Sequence, residues 1–485
     1  MDSFEYIGLW WLPEKPDRKM TGTLSFTVQN GLRLEIMGAL EDIFARLESG
    51  KLSKYDVIYG ITQKGKFVTV TNCRSYGQSL NVPGISTEAF FCDIAYITHG
   101  HFLVNPEAAK FPAILVDFTY LINWTGLNVL REEWIRQESE FIGSKLELRA
   151  VEPRRFELDA ATLSIGINFG TDSTSKRHRT YKQSSYIKIE SPVPLTLEDW
   201  LSQYIRPLQD LITLATDHSN AITALSVHAN TKDLRRFEGD QKPLDEELRA
   251  EIFFRPPFQQ DQTVQNIDEH EMLFHLRDVE ANLATYLNSW LRTYKSPANG
   301  ETSNLNKLRA AFSLYFNTRY HPGPYLEFNF LPLAQALEVY QTVRGEKQTD
   351  LPDEDFKRQK HEALENVPEQ LRSWLDMRLT NNPPLLGRLL ELYDLSKDVM
   401  AQIVPNGNSF CVKIKDTRNY YTHYSDDKRG KAAQGEEFYY LFEAVSYMLI
   451  RLFLAEFGLP SDKCIEIFAK NARFKFIAGE AITKL

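Results

Sequence analysis

The chain has 485 residues, of which 43% are hydrophobic and 25% charged, and a formal net charge of −9. This balance is typical of a folded globular protein and excludes a largely disordered chain, and the length predicts about two to four domains. The acidic excess also argues against a protein that coats nucleic acid non-specifically, because such proteins carry a broad basic surface.

The compartment is predicted from the N-terminus and the cysteines. Residues 1–5 include acids where a signal peptide carries basic residues, and Cys73, Cys92, Cys411 and Cys464 have no C-x-x-C spacing. We therefore expect a cytoplasmic protein without a disulfide framework, a zinc site or a cofactor.

Two further features bear on metals and membranes. His99 and His101 would face the same side of a strand, but no third ligand is near them, so we predict no metal site. The most apolar segment, residues 438–457, contains three charged residues, which predicts a buried helix and no membrane span.

Residues 1–265 are predicted to be β-rich. Strand-like runs at 24–28 and 32–36 flank Asn30-Gly31, a strong hairpin signal, and a second pair of runs flanks residues 64–66. Many short strands indicate a sandwich or a partly closed barrel, in one or two subdomains, interrupted by one helix at 197–216.

Two adjacent tryptophans stand near the start of this region. Trp10 and Trp11 would point to opposite sides of a strand. We expect one of them in the core and the other at an interface.

Residues 266–485 change to helical periodicity, which predicts a C-terminal all-α bundle and an α+β protein overall. The domain boundary is placed at 265/266, after Pro256-Pro257 and a polar run. Helices are predicted over 268–295, 304–316, 325–343, 354–379, 384–401, 410–421 and 435–457, and from 461 onward.

The segment from Arg418 to His423 reads R-N-Y-Y-T-H and is the strongest functional signal. Arginine binds phosphate bidentately and stays charged, whereas histidine takes and gives a proton near neutral pH. Arg418 and His423 are five residues apart, so on an ideal helix their side chains point about 140° away from each other. Both can reach one phosphate only if the helix ends near Thr422 or if a second copy supplies a partner.

This segment resembles the R-x(4–6)-H motif of the HEPN superfamily, including Asn419 after the arginine. At the other end of the chain, G-L-W-W-L-P at 8–13, G-T-L-S-F at 22–26 and L-R-L at 32–34 resemble the N-terminal domain of the ApeA-like proteins. Those are bacterial anti-phage proteins with a C-terminal HEPN domain. The two matches stand in the expected order, so the resemblance covers most of the chain.

The resemblance implies an abortive-infection endoribonuclease. His423 would be the general base or acid that helps the RNA 2′-hydroxyl attack the adjacent phosphate, Arg418 would stabilise the developing charge, and Asn419 would orient His423 or bind a phosphate oxygen. Metal-free cleavage would leave a 2′,3′-cyclic phosphate and a 5′-hydroxyl. The implied partners are RNA, with tRNA as the expected class, a second copy of the chain, and a phage protein sensed by the N-terminal region.

RNA contacts are expected around the same motif. Between residues 411 and 431, six basic residues stand against three acids, a local excess of +3 that suits a selective nuclease. Tyr420 and Tyr421 are expected to pack in the core, and Tyr424 to stack on a base. The predicted RNA-binding residues are Lys413, Lys415, Tyr424, Lys428 and Arg429.

A non-catalytic scaffold is the alternative function. The motif by itself could also be an arginine and a histidine at a helix end, held by local carboxylates such as Asp416 or Asp426. In the scaffold, the Arg418–His423 pair would only stabilise a dimer. The β-rich half would then bind a protein or a carbohydrate.

Overall fold

The computed structural model describes residues 1–41, 53–79, 81, 83–137, 139–175, 178–230, 234–236, 248–257, 267–294, 302–345 and 349–485. These residues form two compact units. One comprises 1–269 and 275–288, and the other 270–274 and 289–485. The predicted boundary at 265/266 lies outside the described residues.

The first unit is built mainly from strands, and several of them, such as Met20–Thr27 and Gly31–Met37, alternate buried and more exposed side chains as in a half-buried sheet. The described strands are β1 (Phe4–Trp11), β2 (Met20–Thr27), β3 (Gly31–Met37), β4 (Lys54–Thr62), β5 (Phe67–Ser79), β6 (Thr87–Cys92), β7 (Ile94–Thr98), β8 (His101–Leu103), β9 (Phe111–Phe118), β10 (Leu130–Gln137), β11 (Glu140–Leu148), β12 (Arg154–Glu157), β13 (Thr162–Ser175), β14 (His178–Leu195), β15 (Ile222–His228), β16 (Leu234–Arg236) and β17 (Arg249–Phe254).

The first six strands close into a barrel. They pair in the antiparallel order β5-β4-β1-β2-β3-β6, and β6 returns to β5 to complete the ring. From β5 the sheet continues outward through β7, β17, β15, β9, β14, β13 and β12. The predicted β-rich N-terminal region is therefore confirmed, with a closed barrel as its first part.

Both tryptophans of β1 are buried, on opposite faces of the strand. Trp10 is fully buried in the barrel core and donates from Nε1 to the carbonyl of Gly22 at 3.0 Å. Trp11 packs in a smaller cluster against Tyr59 and Phe102. The expectation that one of them serves an interface is wrong within this unit, because a second hydrophobic cluster covers the other face.

Gly60 provides the space for the Trp10 ring. It lies opposite Trp10 in the β1–β4 register, and a Cβ built at Gly60 would overlap the indole. We expect Gly60→Ala to lower the free energy of unfolding of the barrel by about 1–3 kcal/mol, because the overlap forces the ring out of place. Hydrogen exchange of β1 and β4 peptides measures this. Gly143→Ala is the control, since open space surrounds that glycine, and equal protection in both variants would contradict the prediction.

Helices α1 to α4 belong to the first unit, and α5 is divided, with residues 283–288 assigned to the first unit and 289–294 to the second. The bounds are α1 (Leu121–Thr125), α2 (Leu197–Trp200), α3 (Arg206–Thr216), α4 (Leu276–Val279) and α5 (Leu283–Tyr294). A π-helical turn at 201–205 joins α2 to α3, so the helix predicted at 197–216 is confirmed. The helix predicted at 268–295 is wrong in its first part, because His275 and Asp278 form a capping box that starts a new helix at Leu276.

The second unit is helical, as predicted for the C-terminal half. Its helices are α6 (Thr302–Tyr320), α7 (Leu326–Arg344), α8 (Asp353–Glu365), α9 (Glu369–Arg378), α10 (Leu385–Leu395), α11 (Lys397–Met400), α12 (Gly407–His423), α13 (Asp426–Arg429), α14 (Gly435–Phe457), α15 (Ser461–Lys470) and α16 (Ala472–Lys484). Three predicted helices are each divided in two, at residues 366–368, at Ser396 and at Asn471. Pro368 and the N-cap Asn471 account for two of these breaks, since both residue types favour a new helix start.

The central helix of this unit is α14. It is long and apolar enough to suit a membrane span by length and composition, but 83% of its most apolar 18-residue window is buried within the protein. The three charged residues within 438–457 are each paired: Glu443 with Arg473 at 2.7 Å, Arg451 with Asp398 at 2.7 Å, and Glu456 with Arg344 at 2.7 Å. Pairing of this kind makes burial of charged residues tolerable.

Candidate functional site

Helix α12 carries the predicted site. The Asn406 side chain caps its start by accepting from the amide of Ser409 at 3.1 Å. One side of the helix is buried, and its buried residues recur at the spacing of helical turns: Phe410, Ile414 and Thr417. The helix ends at His423, and Tyr424 follows in the left-handed conformation (φ 48°). The predicted helix at 410–421 is thus confirmed and extends through the whole R-N-Y-Y-T-H segment.

Arg418 lies on the side of α12 that faces α7. Its Nε donates to Oε1 of Glu338 at 3.1 Å, and its Nη1 donates to Oδ1 of Asn419 at 3.2 Å. Its side chain is 32% exposed, so the guanidinium is oriented by protein groups while part of it still faces solvent. The partner of Arg418 is Glu338, and neither Asp416 nor Asp426 has a contact with it among the described residues.

Glu338 joins Arg418 to another arginine. Its Oε2 lies 3.6 Å from an Nη of Arg388 on α10. The carboxylate is 19% exposed and carries one charge between two guanidinium groups. The cluster therefore keeps a net positive charge.

His423 occupies the last turn of α12 and is exposed. Its side chain has no hydrogen bond or ion pair with any residue that the structure describes, so its imidazole is open to an external molecule. Because α12 is regular through His423, the two side chains leave the helix about 140° apart and about 7.5 Å apart along its axis. The helix ends one residue beyond Thr422, with His423 still helical, so the two side chains of one chain diverge, and a partner from a second copy is the other route to a shared phosphate.

The two lysines predicted to bind RNA within α12 are engaged in ion pairs. Lys413 Nζ lies 2.8 Å from Glu437 on α14, and Lys415 Nζ lies 3.3 Å from its neighbour Asp416. Their charges are therefore partly compensated.

The other predicted RNA-binding residues follow the end of α12. Lys428 and Arg429 lie on the single turn α13, where Arg429 is exposed. Tyr424 is 61% exposed and available for stacking. Tyr421 instead stacks on Phe438 with ring centroids 4.8 Å apart, and burial raises the pKa of its hydroxyl.

A groove opens beside Arg418. It has a volume of about 630 Å³ and lies between α6, α7, α10 and α12. The residues that line it are Lys307, Leu331, Gln335, Glu338, Val339, Thr342, Arg388, Arg418 and Thr422.

Sequence reasoning missed Glu338, Arg388 and Lys307. They stand 80, 30 and 111 positions before Arg418, on separate helices and outside any recognised motif. Each looks like an ordinary polar residue of an amphipathic helix. Only the packing of α12 against α7 and α10 brings them together.

We looked for side chains that could form a metal-binding site among the residues that the structure describes. No group of three or more His, Cys, Asp or Glu residues there can hold an ion. His101 binds through Nδ1 to the carbonyl of His99 at 3.1 Å. The Cys73 and Cys92 thiols lie 3.0 Å apart and are free.

Comparison with known proteins agrees with this architecture. The model of the family "ApeA N-terminal domain 1" matches residues 5–290, more than half of the chain, and "Apea-like HEPN" matches residues 331–463, which include Glu338, Arg388 and the R-N-Y-Y-T-H segment. Neither curated proteins nor solved structures provide a match. With both resemblances of the sequence confirmed, the chain belongs to the ApeA family of anti-phage proteins and carries a C-terminal HEPN domain.

Proposed function

We propose that the HEPN domain is a metal-independent endoribonuclease that acts in anti-phage defence. The observation that carries the proposal is the pair formed by an oriented Arg418 and an exposed His423 on one helix of the HEPN match. Ribonuclease activity is typical of HEPN domains.

The chemistry follows from the two side chains. His423 removes the proton of an RNA 2′-hydroxyl, whose oxygen attacks the adjacent phosphorus while the P–O5′ bond breaks. The leaving 5′-oxygen takes a proton from solvent water, and His423 later returns its proton to solvent. Arg418 stabilises the negative charge that develops on the phosphate oxygens. The products are a 2′,3′-cyclic phosphate and a 5′-hydroxyl, and Asn419 holds the guanidinium through its Oδ1 contact. DNA is inert because it lacks the 2′-hydroxyl.

The active form is a homodimer. Arg418 of one protomer and His423 of its partner can flank one phosphate across a twofold axis, which avoids the 140° separation within one helix. The β-rich unit recognises a phage protein in the cytoplasm and releases the nuclease, and cleavage of host RNA, with tRNA as the expected class, stops growth before the phage matures.

The direct test is RNA cleavage in EDTA. We expect the wild-type protein to produce cyclic-phosphate ends and His423→Ala to lose activity by about 100-fold or more. Lys357→Ala, on the exposed face of α8, is the matched control and keeps wild-type activity. The assay is run with and without lysate of phage-infected cells. Equal cleavage by wild type and His423→Ala would refute the mechanism.

The alternative is a non-catalytic scaffold. The observation that favours it is the ion pair of Arg418 with Glu338, which is a plausible structural contact by itself. Overexpression discriminates the two functions. A ribonuclease is toxic, and Arg418→Ala or His423→Ala relieves the toxicity at equal protein level, whereas a scaffold is harmless in all three forms.

A further inference from the structure

The groove beside Arg418 is positively charged. Among its described lining residues, Lys307, Arg388 and Arg418 contribute three positive charges and Glu338 one negative charge, which leaves +2. These residues come from four different helices of the second unit, so only the folded chain brings their charges to one groove.

Arg388 has a hydrogen-bond donor without an acceptor among the described residues. This donor is its buried Nε–H, while its Nη lies 3.6 Å from Glu338. The Arg388 side chain is 23% exposed and lines the groove, and its guanidinium carries five N–H donors, more than this one contact uses.

The Glu338 carboxylate indicates what kind of acceptor fits. It lies between Arg418 and Arg388 and contacts both. A carboxylate and a phosphodiester each carry one negative charge and offer two oxygens to the fork of a guanidinium. Glu338 therefore marks a position where an anionic oxygen is held between the two arginines.

The rest of the lining favours a sugar–phosphate backbone over bases. Leu331 and Val339 supply aliphatic surface, and no aromatic side chain belongs to the described lining. Base recognition in single strands relies on aromatic stacking, whereas backbone recognition relies on positive charge.

We propose that this groove binds the RNA backbone next to the scissile phosphate, with Arg388 and Lys307 contacting the adjoining phosphate. The inference rests on the proposed ribonuclease function and adds a substrate subsite to it. The net charge of +2 matches two phosphodiesters, one at Arg418 and one at Arg388 and Lys307. Arg388 and Lys307 are positioning residues, and Glu338 is a negative charge that weakens RNA binding.

The test is direct binding of a short fluorescein-labelled RNA with 2′-O-methyl riboses, which cannot be cleaved by 2′-hydroxyl attack. Fluorescence anisotropy is measured with the full-length protein in EDTA over a range of salt concentrations. Arg388→Gln and Lys307→Gln are each expected to weaken binding about tenfold. Each should also reduce the slope of log affinity against log salt by about 0.7, the value for one phosphate contact in a single strand. Glu338→Gln is expected to strengthen binding.

The opposite changes in affinity, weaker for Arg388→Gln and Lys307→Gln but stronger for Glu338→Gln, distinguish an electrostatic contact from a folding defect. A damaged fold would weaken RNA binding in every variant. Arg388→Lys restores the charge and part of the affinity, and Arg358→Gln, an exposed charge removal on α8, leaves binding unchanged. If all variants bind RNA with wild-type affinity and wild-type salt dependence, the inference about the groove is overturned. Cleavage by the wild-type protein would still support the ribonuclease function in that case. Absence of both binding and cleavage, with infected-cell lysate present, would overturn both proposals.

Discussion

A mixed dimer of one Arg418→Ala chain and one His423→Ala chain is expected to recover about half of the wild-type RNA cleavage. Each variant alone is expected to lose about 100-fold or more. The reason for the recovery is the geometry of α12, which sends the two side chains out about 140° apart. If each site takes Arg418 from one protomer and His423 from the other, a mixed dimer contains one intact site and one doubly defective site.

The measurement uses two co-expressed chains with different affinity tags, purified in sequence so that only mixed dimers remain. Cleavage of unmodified RNA in EDTA is compared with that of the wild-type dimer. The control pairs His423→Ala with an Arg418→Ala/His423→Ala double variant, since that dimer has no intact site. An inactive mixed dimer would contradict a site shared between protomers, and failure of the two tags to co-purify would contradict the dimer itself.

The second large effect concerns the stability of the HEPN domain. Asp398 on α11 binds Arg451 of α14 through both carboxylate oxygens, and the two side chains are 17% and 9% exposed. Ser461 at the start of α15 donates to the same carboxylate. We expect Asp398→Ala to lower the free energy of unfolding by about 3 kcal/mol, because Arg451 would keep a buried charge without a partner.

This loss should depend on pH. Burial by itself would raise the pKa of Asp398, but the hydrogen bonds from Arg451 and Ser461 outweigh it and lower the pKa below its usual value. A lowered pKa in the folded state means that the ionised carboxylate stabilises the protein above about pH 3.9, the value of a free aspartate. The stabilisation declines as the pH falls from there and disappears below the folded pKa.

Hydrogen exchange of α14 peptides in the full-length protein measures both effects. The difference between wild type and Asp398→Ala is expected to be full at neutral pH and to vanish in strong acid. Glu354→Ala removes an exposed partner of Lys357 on α8 and serves as the control without a change in protection. A difference that stays constant down to strong acid would contradict the role of the charged carboxylate.

The secondary-structure class of each half could be predicted, because the spacing of hydrophobic residues along the chain indicates which side of a strand or helix is buried. Alternation at 24–28 and 32–36 around Asn30-Gly31 corresponds to β2 and β3, which pair in register from Gly22 opposite Ile36 to Thr27 opposite Gly31. The apolar run at 435–457 corresponds to α14 over the same residues. Such patterns are properties of neighbours in the chain, so no long-range contact is needed to recognise them.

The closure of the barrel and the breaks in the helices depend on other contacts. The pairing of β3 with β6 joins strands that are far apart along the chain, with Met37 opposite Thr87. The break at Ser396 places Asp398 on a separate turn, where it meets Arg451 some 50 residues later. No local periodicity distinguishes these outcomes from an open sheet or a continuous helix.

The sequence by itself determined the order of a β-rich region and a helical region, the family resemblance at both ends, and the residues Arg418, Asn419 and His423 as the candidate site. The surroundings of that site were decided only by the tertiary structure, which brings Glu338 and Arg388 to Arg418 and leaves His423 exposed at the end of α12. The physical reason is that a motif records spacing along one helix, whereas charge, burial and the shape of the groove arise from the packing of four helices whose residues are far apart in sequence.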